Sequence, residues 1–379
     1  MKKLIYILNQ YSSKEGSHFF HVLHLLEEMA RNGVKITLVI EKATDIPEFD
    51  IPNIKVIAQK QSGFKRMLEL FGILKELNTQ GYKKTFVRIS QNGAIPAILV
   101  SKLYGGEVYY WQSGTGHVLD AQKPFNMKQY LKSELPFNIV KKYVSHFVTG
   151  PESMVEYYEK FVGVKKEKLV CLYNDIDINR FKSINNEEKN KIKDELGVPK
   201  DKKVILFVHR LSPVRKSLFY MPYILKDIFK QRDDYVCYVI GGGSEQHELI
   251  NIIKREKLEN KILVLGQKPN SEIQKFYQVS DIFINPTYTE GFPRVLIEAM
   301  ASRLPCVTTN AGGTADILGE LQSKFMVDIH DREGFADKLA QLIQDKEMQK
   351  KLAEENRERV KRYSTENVAK MYIKEIFNG

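Results

Sequence analysis

Thirteen short runs of β-branched and aromatic residues, separated by longer amphipathic stretches, constrain this 379-residue chain more than any other feature. In the first half the runs are KLIYIL (3–8), VKITLVI (34–40), IKVIA (54–58), TFVRI (85–89), VYYW (108–111), HFVTG (146–150) and KLVCLY (168–173). In the second half they are VILFV (204–208), YVCYVI (235–240), KILVLG (261–266), IFIN (282–285), CVTT (306–309) and FMVD (325–328). Between them, stretches such as FFHVLHLLEEMARNG (19–33) carry a helical period, here ending on Gly33 as a helix C-cap would. Alternation of this kind predicts βαβ units and parallel sheets covered on both faces. The pattern restarts after about residue 200, and the chain is longer than one hydrophobic core usually supports. The expected fold is therefore α/β, with two Rossmann-like doubly wound domains facing an interdomain cleft. Open parallel sheets bind ligands beyond the carboxyl ends of their strands, so the loops after strands are where chemistry is expected.

The seam falls near 176–202, which is polar and charged, with one short helical pattern and no strand. The expected domains are 1–177 and 178–362, with a C-terminal helix at 363–379 packing back on the first domain. From about residue 331 the tail reads as a pair of amphipathic helices. The N-terminal MKKLIYILNQ has too short an apolar core for a signal peptide and reads as a first strand. No run of about twenty apolar residues occurs, which points to a cytoplasmic protein. Cys171, Cys237 and Cys306 are odd in number, widely spaced and set in apolar runs, so buried thiols are expected, with neither a zinc site nor a disulfide framework. A net charge of +11 asks for an anionic partner: a nucleotide, a phospholipid surface or nucleic acid.

The most informative segment is NPTYTEGFPRVLIEAMASRLPCV (285–307). A strand ends at Asn285, a polar loop carries Glu290-Gly291, and Pro293 is expected at the first position of a helix running to about Ser302. Free N–H groups and the positive dipole end at that helix start suit a phosphate. Glu298 sits among Leu296, Ile297, Ala299 and Met300, so its carboxylate needs a hydrogen-bond partner such as a ribose. A second segment, FVHRLSPVRKS (207–217), follows the first strand of the second domain and gathers Arg210, Arg215 and Lys216 on one loop.

Together these segments resemble the retaining glycosyltransferases of group 1 (family 4), whose fold is the double-Rossmann GT-B type. The resemblance implies that Glu290 contacts hydroxyls of the transferred sugar and Glu298 the ribose of the nucleotide. It places Gly291 and the backbone N–H groups of Phe292, Arg294 and Val295 near the diphosphate; Pro293 stands where glycine is frequent. The family's Arg…Lys pair maps onto Arg210 and Lys216, with Arg215 as the alternative, and glycine is usual where His209 and Ser217 stand. Such cations stabilise the charge that develops on the departing phosphate. VIGGGSEQHEL (239–249) resembles the family's glycine-rich turn, Gln267 a contact to the base, and GGTADIL (312–318) the loop after the next strand. LYNDIDINRF (172–181) resembles the interdomain linker, so Asp175-Ile176-Asp177 is not read as a metal motif; no metal and no cofactor are expected. In the first half, Gly16 is the candidate for close approach to donor phosphate, and either Gln112 or His117 for the acceptor side of the sugar.

What the resemblance implies is metal-independent hexosyl transfer from a nucleoside-diphosphate sugar to a glycan or lipid-linked acceptor, with retention, in polysaccharide, lipopolysaccharide or lipid-linked oligosaccharide synthesis. GFKRMLELFGILKEL (63–77) and KPFNMKQYLKSELPFNIVKKY (123–143) mix basic and apolar residues, which suits peripheral docking on an anionic membrane surface at the inner face of the cell membrane. A nucleotide-sugar epimerase would share the architecture, but the 285–307 segment argues against it. A basic nucleic-acid-binding protein would account for the charge but not for the paired domains or for Glu290 and Glu298, so nucleic acid is not expected as a partner.

Overall fold

The computed structural model describes residues 1–13, 20–114, 126–212 and 219–378. The chain forms two compact units, Met1–Asp175 with Thr365–Gly379, and Ile176–Ser364. All thirteen sequence runs are strands: β1 Lys2–Leu8, β2 Val34–Ile40, β3 Ile54–Ala58, β4 Lys84–Arg88, β5 Glu107–Trp111, β6 His146–Thr149, β7 Leu169–Cys171, β8 Lys203–Val208, β9 Tyr235–Ile240, β10 Ile262–Gly266, β11 Ile282–Asn285, β12 Cys306–Thr309 and β13 Met326–Val327.

The first unit holds a seven-stranded sheet in the order β3-β2-β1-β4-β5-β6-β7. Its pairings are parallel throughout, with Leu4 of β1 opposite Ile36 of β2 and Lys84 of β4. Such a sheet needs cover on both faces, and Leu4–Leu8 are accordingly buried without alternation. The Gly63–Thr79 helix turns Leu70, Leu74 and Leu77 inward at i, i+4, i+7 spacing, against the Gln91–Tyr104 helix. The opposite face is built from rings: Tyr6 stacks on Phe86 at 5.1 Å, and Tyr372 of the C-terminal Thr365–Asn378 helix meets Phe86 at 5.4 Å. That helix lies against Phe20–Arg31. Arg88 is buried at the end of β4, where its guanidinium stacks 4.1 Å from the Trp111 ring and donates to the Asn174 side chain. Asp175 receives the Thr365 hydroxyl at 2.8 Å, so both chain crossings leave the unit at one place.

The second unit holds a six-stranded parallel sheet in the order β10-β9-β8-β11-β12-β13. The polar stretch after Asp175 supplies the Asn186–Leu196 helix, started by a reciprocal capping box between Asn185 and Glu188. The Met221–Gln231 helix buries Ile224, Leu225, Ile228 and Phe229 on the sheet. β8 lies between β9 and β11, so the loops after these three strands emerge side by side.

Three expectations are corrected. The tail from residue 332 is three helices, Arg332–Gln344, Lys346–Val360 and Thr365–Asn378, because Asp345 closes the first and its carboxylate accepts the Met348 N–H to start the next. Pro293 is the N-cap of the Arg294–Ala301 helix and not its first helical residue. Cys171 is only half-buried, since β7 is an edge strand, whereas Cys237 and Cys306 are buried and burial pushes their thiols up.

Candidate active site

β8 and β11 are neighbours, so the residues just past their carboxyl ends meet. His209 follows β8 directly, and its Nε2 lies 2.7 Å from Oε1 of Glu290 in the loop after β11. The backbone N–H of Arg210 donates to His209 Nδ1 at 2.8 Å, so the proton of a neutral imidazole sits on Nε2 and is donated to the carboxylate. Both side chains are nearly enclosed, at 9% and 8% exposure, so this charge-assisted bond is shielded from water.

Glycines hold both loops at close range. A Cβ on Gly241 would stand 1.8 Å from the carbonyl oxygen of His209, and one on Gly243 would stand 1.9 Å from that of Leu211. The glycine-rich turn after β9 therefore cushions the His209–Leu211 backbone. Gly312, at φ +55, does the same under Glu290, whose carbonyl oxygen a Cβ would approach to 2.0 Å. Gly313 N–H donates to the Gly291 carbonyl at 3.1 Å, and Thr287 N–H to Thr309 Oγ1 at 2.9 Å, so the loop between β11 and the next helix is tied at both ends.

The Pro293 carbonyl accepts from Leu296 and Ile297, at 3.1 and 3.4 Å, which leaves the amides of Arg294 and Val295 as first-turn donors. Phe292 is buried and sets its ring edge-on to Tyr363 at 5.5 Å. Glu298, one helical turn past Arg294, takes the Tyr277 hydroxyl on Oε2 at 2.9 Å, with Arg294 3.8 Å from Oε1. Burial pushes the Glu298 carboxyl above the usual carboxylate range, opposed by Arg294, the Tyr277 hydroxyl and Arg180. Its need for a partner is thus met within the protein, so burial alone does not call for a ribose there.

Arg210 is exposed, and its guanidinium makes no ion pair among the described residues. Gln267, past β10, is exposed and lies against Gly242, its Oε1 3.6 Å from the position of a Cβ there. In the first unit, Gln112 follows β5 and its Oε1 accepts the Tyr110 hydroxyl at 2.8 Å. Gly16, His117 and Lys216, with Arg215, lie outside the described residues. The structure therefore brings Glu290, Gly291, Phe292, Arg294, Val295 and Glu298 onto one loop and helix beside His209-Arg210. In the sequence His209 stands out only as a histidine where glycine is usual, and Tyr277 does not stand out at all. A histidine in place of glycine, directly after a strand, was the available signal for the first. For Tyr277 there was none, because it meets Glu298 only through helix packing.

Two parallel sheets, each with its first strand central and the order 3-2-1-4-5-6 outward from it, define the GT-B class of double Rossmann-like folds. The family described as glycosyl transferases group 1 matches residues 188–359 of this chain. The N-acetyl-alpha-D-glucosaminyl L-malate synthase of Bacillus anthracis is 24% identical over 58% of this chain and 56% of its own length. The UDP-Gal:alpha-D-GlcNAc-diphosphoundecaprenol alpha-1,3-galactosyltransferase of Escherichia coli is 26% identical over 49% of this chain and 48% of its own. The chain thus spans about half the length of the curated relatives it matches. The fold is shared with Anabaena HepE, solved in complex with UDP and glucose, at a TM-score of 0.77, 17% identity and full coverage of both chains. Among the described residues, no helix is long and apolar enough to cross a membrane.

Proposed function

We propose that the chain moves a sugar from a nucleoside diphosphate to an acceptor hydroxyl, retaining the configuration at the anomeric carbon and using no metal. The observation that carries this reading is the Glu290 carboxylate, oriented by His209 on a glycine-backed loop that leads into the Arg294–Ala301 helix. In this reading Glu290 accepts hydroxyls of the transferred sugar, and the amides of Arg294 and Val295 take the diphosphate at the helix start. Glu298 keeps an oxygen for the ribose. Arg210 and Lys216 neutralise the leaving group, which is the task a metal would otherwise perform. The bond from the anomeric carbon to the phosphate oxygen breaks with its electron pair on the phosphate. The acceptor oxygen bonds to the same face of that carbon, and its proton passes to the departing phosphate.

The UDP and glucose held by the Anabaena protein support a uridine nucleotide as the first donor to try. The diphosphoundecaprenol acceptor in the name of the Escherichia coli relative supports a glycan on a lipid carrier. Exposed Phe64, Leu68, Leu103, Leu131 and Phe161 on the lysine-rich first unit support docking on an anionic membrane surface from the cytoplasmic side.

A thermal-shift series against UDP-, GDP- and ADP-glucose tests the donor site. Binding to the folded state adds about 2.7 kcal/mol when ligand stands at one hundred times its Kd. One nucleotide class should raise Tm; a chain that none of the three protects would not be a transferase of this kind.

A further inference from the structure

The first unit contains a cavity of about 270 Å³ past the carboxyl ends of β2 and β3, lined by Glu41, Gln59, Arg66 and Asn92 with Phe64 and Met67. That volume is near the lower end of small-ligand sites, roughly 300–1,000 Å³. Its polar groups are held in advance of any ligand. Glu41 is 2% exposed, and its Oε1 takes the Ser90 hydroxyl at 2.5 Å, while Ser90 Oγ also caps the next helix by accepting the Gly93 N–H at 3.0 Å. Gly93 must lack a side chain here, since a Cβ would fall 2.3 Å from Glu41 Oε1. Ile89, just before Ser90, is a β-branched residue at φ +57, a strained conformation that surrounding structure has to sustain. The loop on the other side is equally fixed: Lys60 and Gln61 N–H donate to Glu69 at 3.2 and 3.1 Å, and Gln59 Nε2 donates to the Arg66 carbonyl at 2.8 Å.

One group has no partner. Gln59 is 8% exposed and lines the cavity, yet its Oε1 is buried without a hydrogen bond. A buried acceptor that nothing satisfies is costly and rare, and one that lines a cavity beside a buried carboxylate asks for a ligand that brings donors. Hydroxyls supply them, and Phe64 and Met67 offer an apolar wall to the C–H face of a ring.

We infer that this cavity binds a monosaccharide-sized polyol through Gln59 Oε1 and the Glu41 carboxylate. Calling that polyol the hydroxylated end of the acceptor rests on the transferase reading above; the binding site itself does not.

The test uses the full chain and four probes: methyl α-glucoside, methyl α-galactoside, methyl N-acetyl-α-glucosaminide and myo-inositol, at millimolar concentration by saturation-transfer NMR without nucleotide. At least one probe should bind. Gln59→Leu should weaken it roughly three- to tenfold, the loss of one neutral hydrogen bond. Asn92→Trp, at an exposed rim position, should block the cavity and abolish binding without disturbing the core. Binding of none of the four, or equal binding by wild type and Asn92→Trp, would overturn the inference. Probe binding by a chain that no nucleotide sugar protects would leave this site standing and sink the transferase reading instead.

Discussion

His209 Nε2 donates to Glu290 Oε1 across 2.7 Å, joining the loop after β8 to the loop after β11 in the second unit. The bond fixes the imidazole tautomer and the orientation of the Glu290 carboxylate. Glu290→Ala and Lys216→Ala should each lower transfer on the order of 10²–10³-fold, the usual effect of removing one preorganised polar group. Full turnover in both, with the variants folded, would place the donor elsewhere.

His209 acts on the reaction only through Glu290 in this account, so its variants carry a different signature. His209→Ala should lower kcat about tenfold with little change in donor KM, while His209→Gln, whose amide can still donate, recovers part of the loss. Steady-state kinetics beside thermal melts decide the matter. Equal deficits in Ala and Gln variants that track Tm would make His209 merely structural.

Gly312→Ala should be among the most damaging small changes in the molecule. It adds a Cβ 2.0 Å from the Glu290 carbonyl oxygen at φ +55, so the Glu290 loop has to move. Gly33→Ala is the control, because Gly33 has positive φ (+85) but nothing within 4 Å of a Cβ. The control should cost about 1–2 kcal/mol of backbone strain and no activity. Gly312→Ala should lose both stability and transfer.

The strands were legible because each parallel strand is buried on both faces and so reads as one apolar run, Leu4–Leu8 and Tyr235–Ile240 being the clearest. Glu290 and the Arg294–Ala301 helix were legible because a polar loop, a glycine and a proline fall together within four residues. What escaped depended on packing between distant segments. Tyr277 reaches Glu298 across 21 residues, and Gly241 and Gly243 prove to serve the His209–Leu211 backbone. The break at Asp345 was hidden because no proline or glycine marks it; an aspartate that caps the second helix is enough to end the first.

Arg88 should matter to stability far more than to charge balance. Its guanidinium is buried between Trp111, Asn174 and Tyr6, with Asp175 close enough to act on it. Arg88→Met keeps much of the volume but strands these acceptors, a change expected to cost about 3–5 kcal/mol. Urea melts of both proteins measure it, and a midpoint shift too small for even 1 kcal/mol would show that the network relaxes.

Glu41 gives the pH dependence a definite sign. Burial raises its carboxyl above the usual range, against the pull of the Ser90 hydroxyl and of Arg66 and Lys42. Between the ordinary Glu value, about 4.3, and the raised folded value, the folded state therefore binds more protons than the unfolded state. Stability contributed by this group must then fall as pH rises through that window, because the slope of unfolding free energy follows protons bound unfolded minus protons bound folded. Glu41→Gln removes the titration while its carbonyl can still accept the Ser90 hydroxyl. Relative to wild type, the variant should gain stability as pH rises from the ordinary carboxyl range toward neutrality, and the gain should shrink to nothing at acid pH. Melts of the two proteins at matched pH values provide the comparison. A difference that stays constant with pH would mean that Glu41 ionises in the folded protein as it does in the unfolded chain.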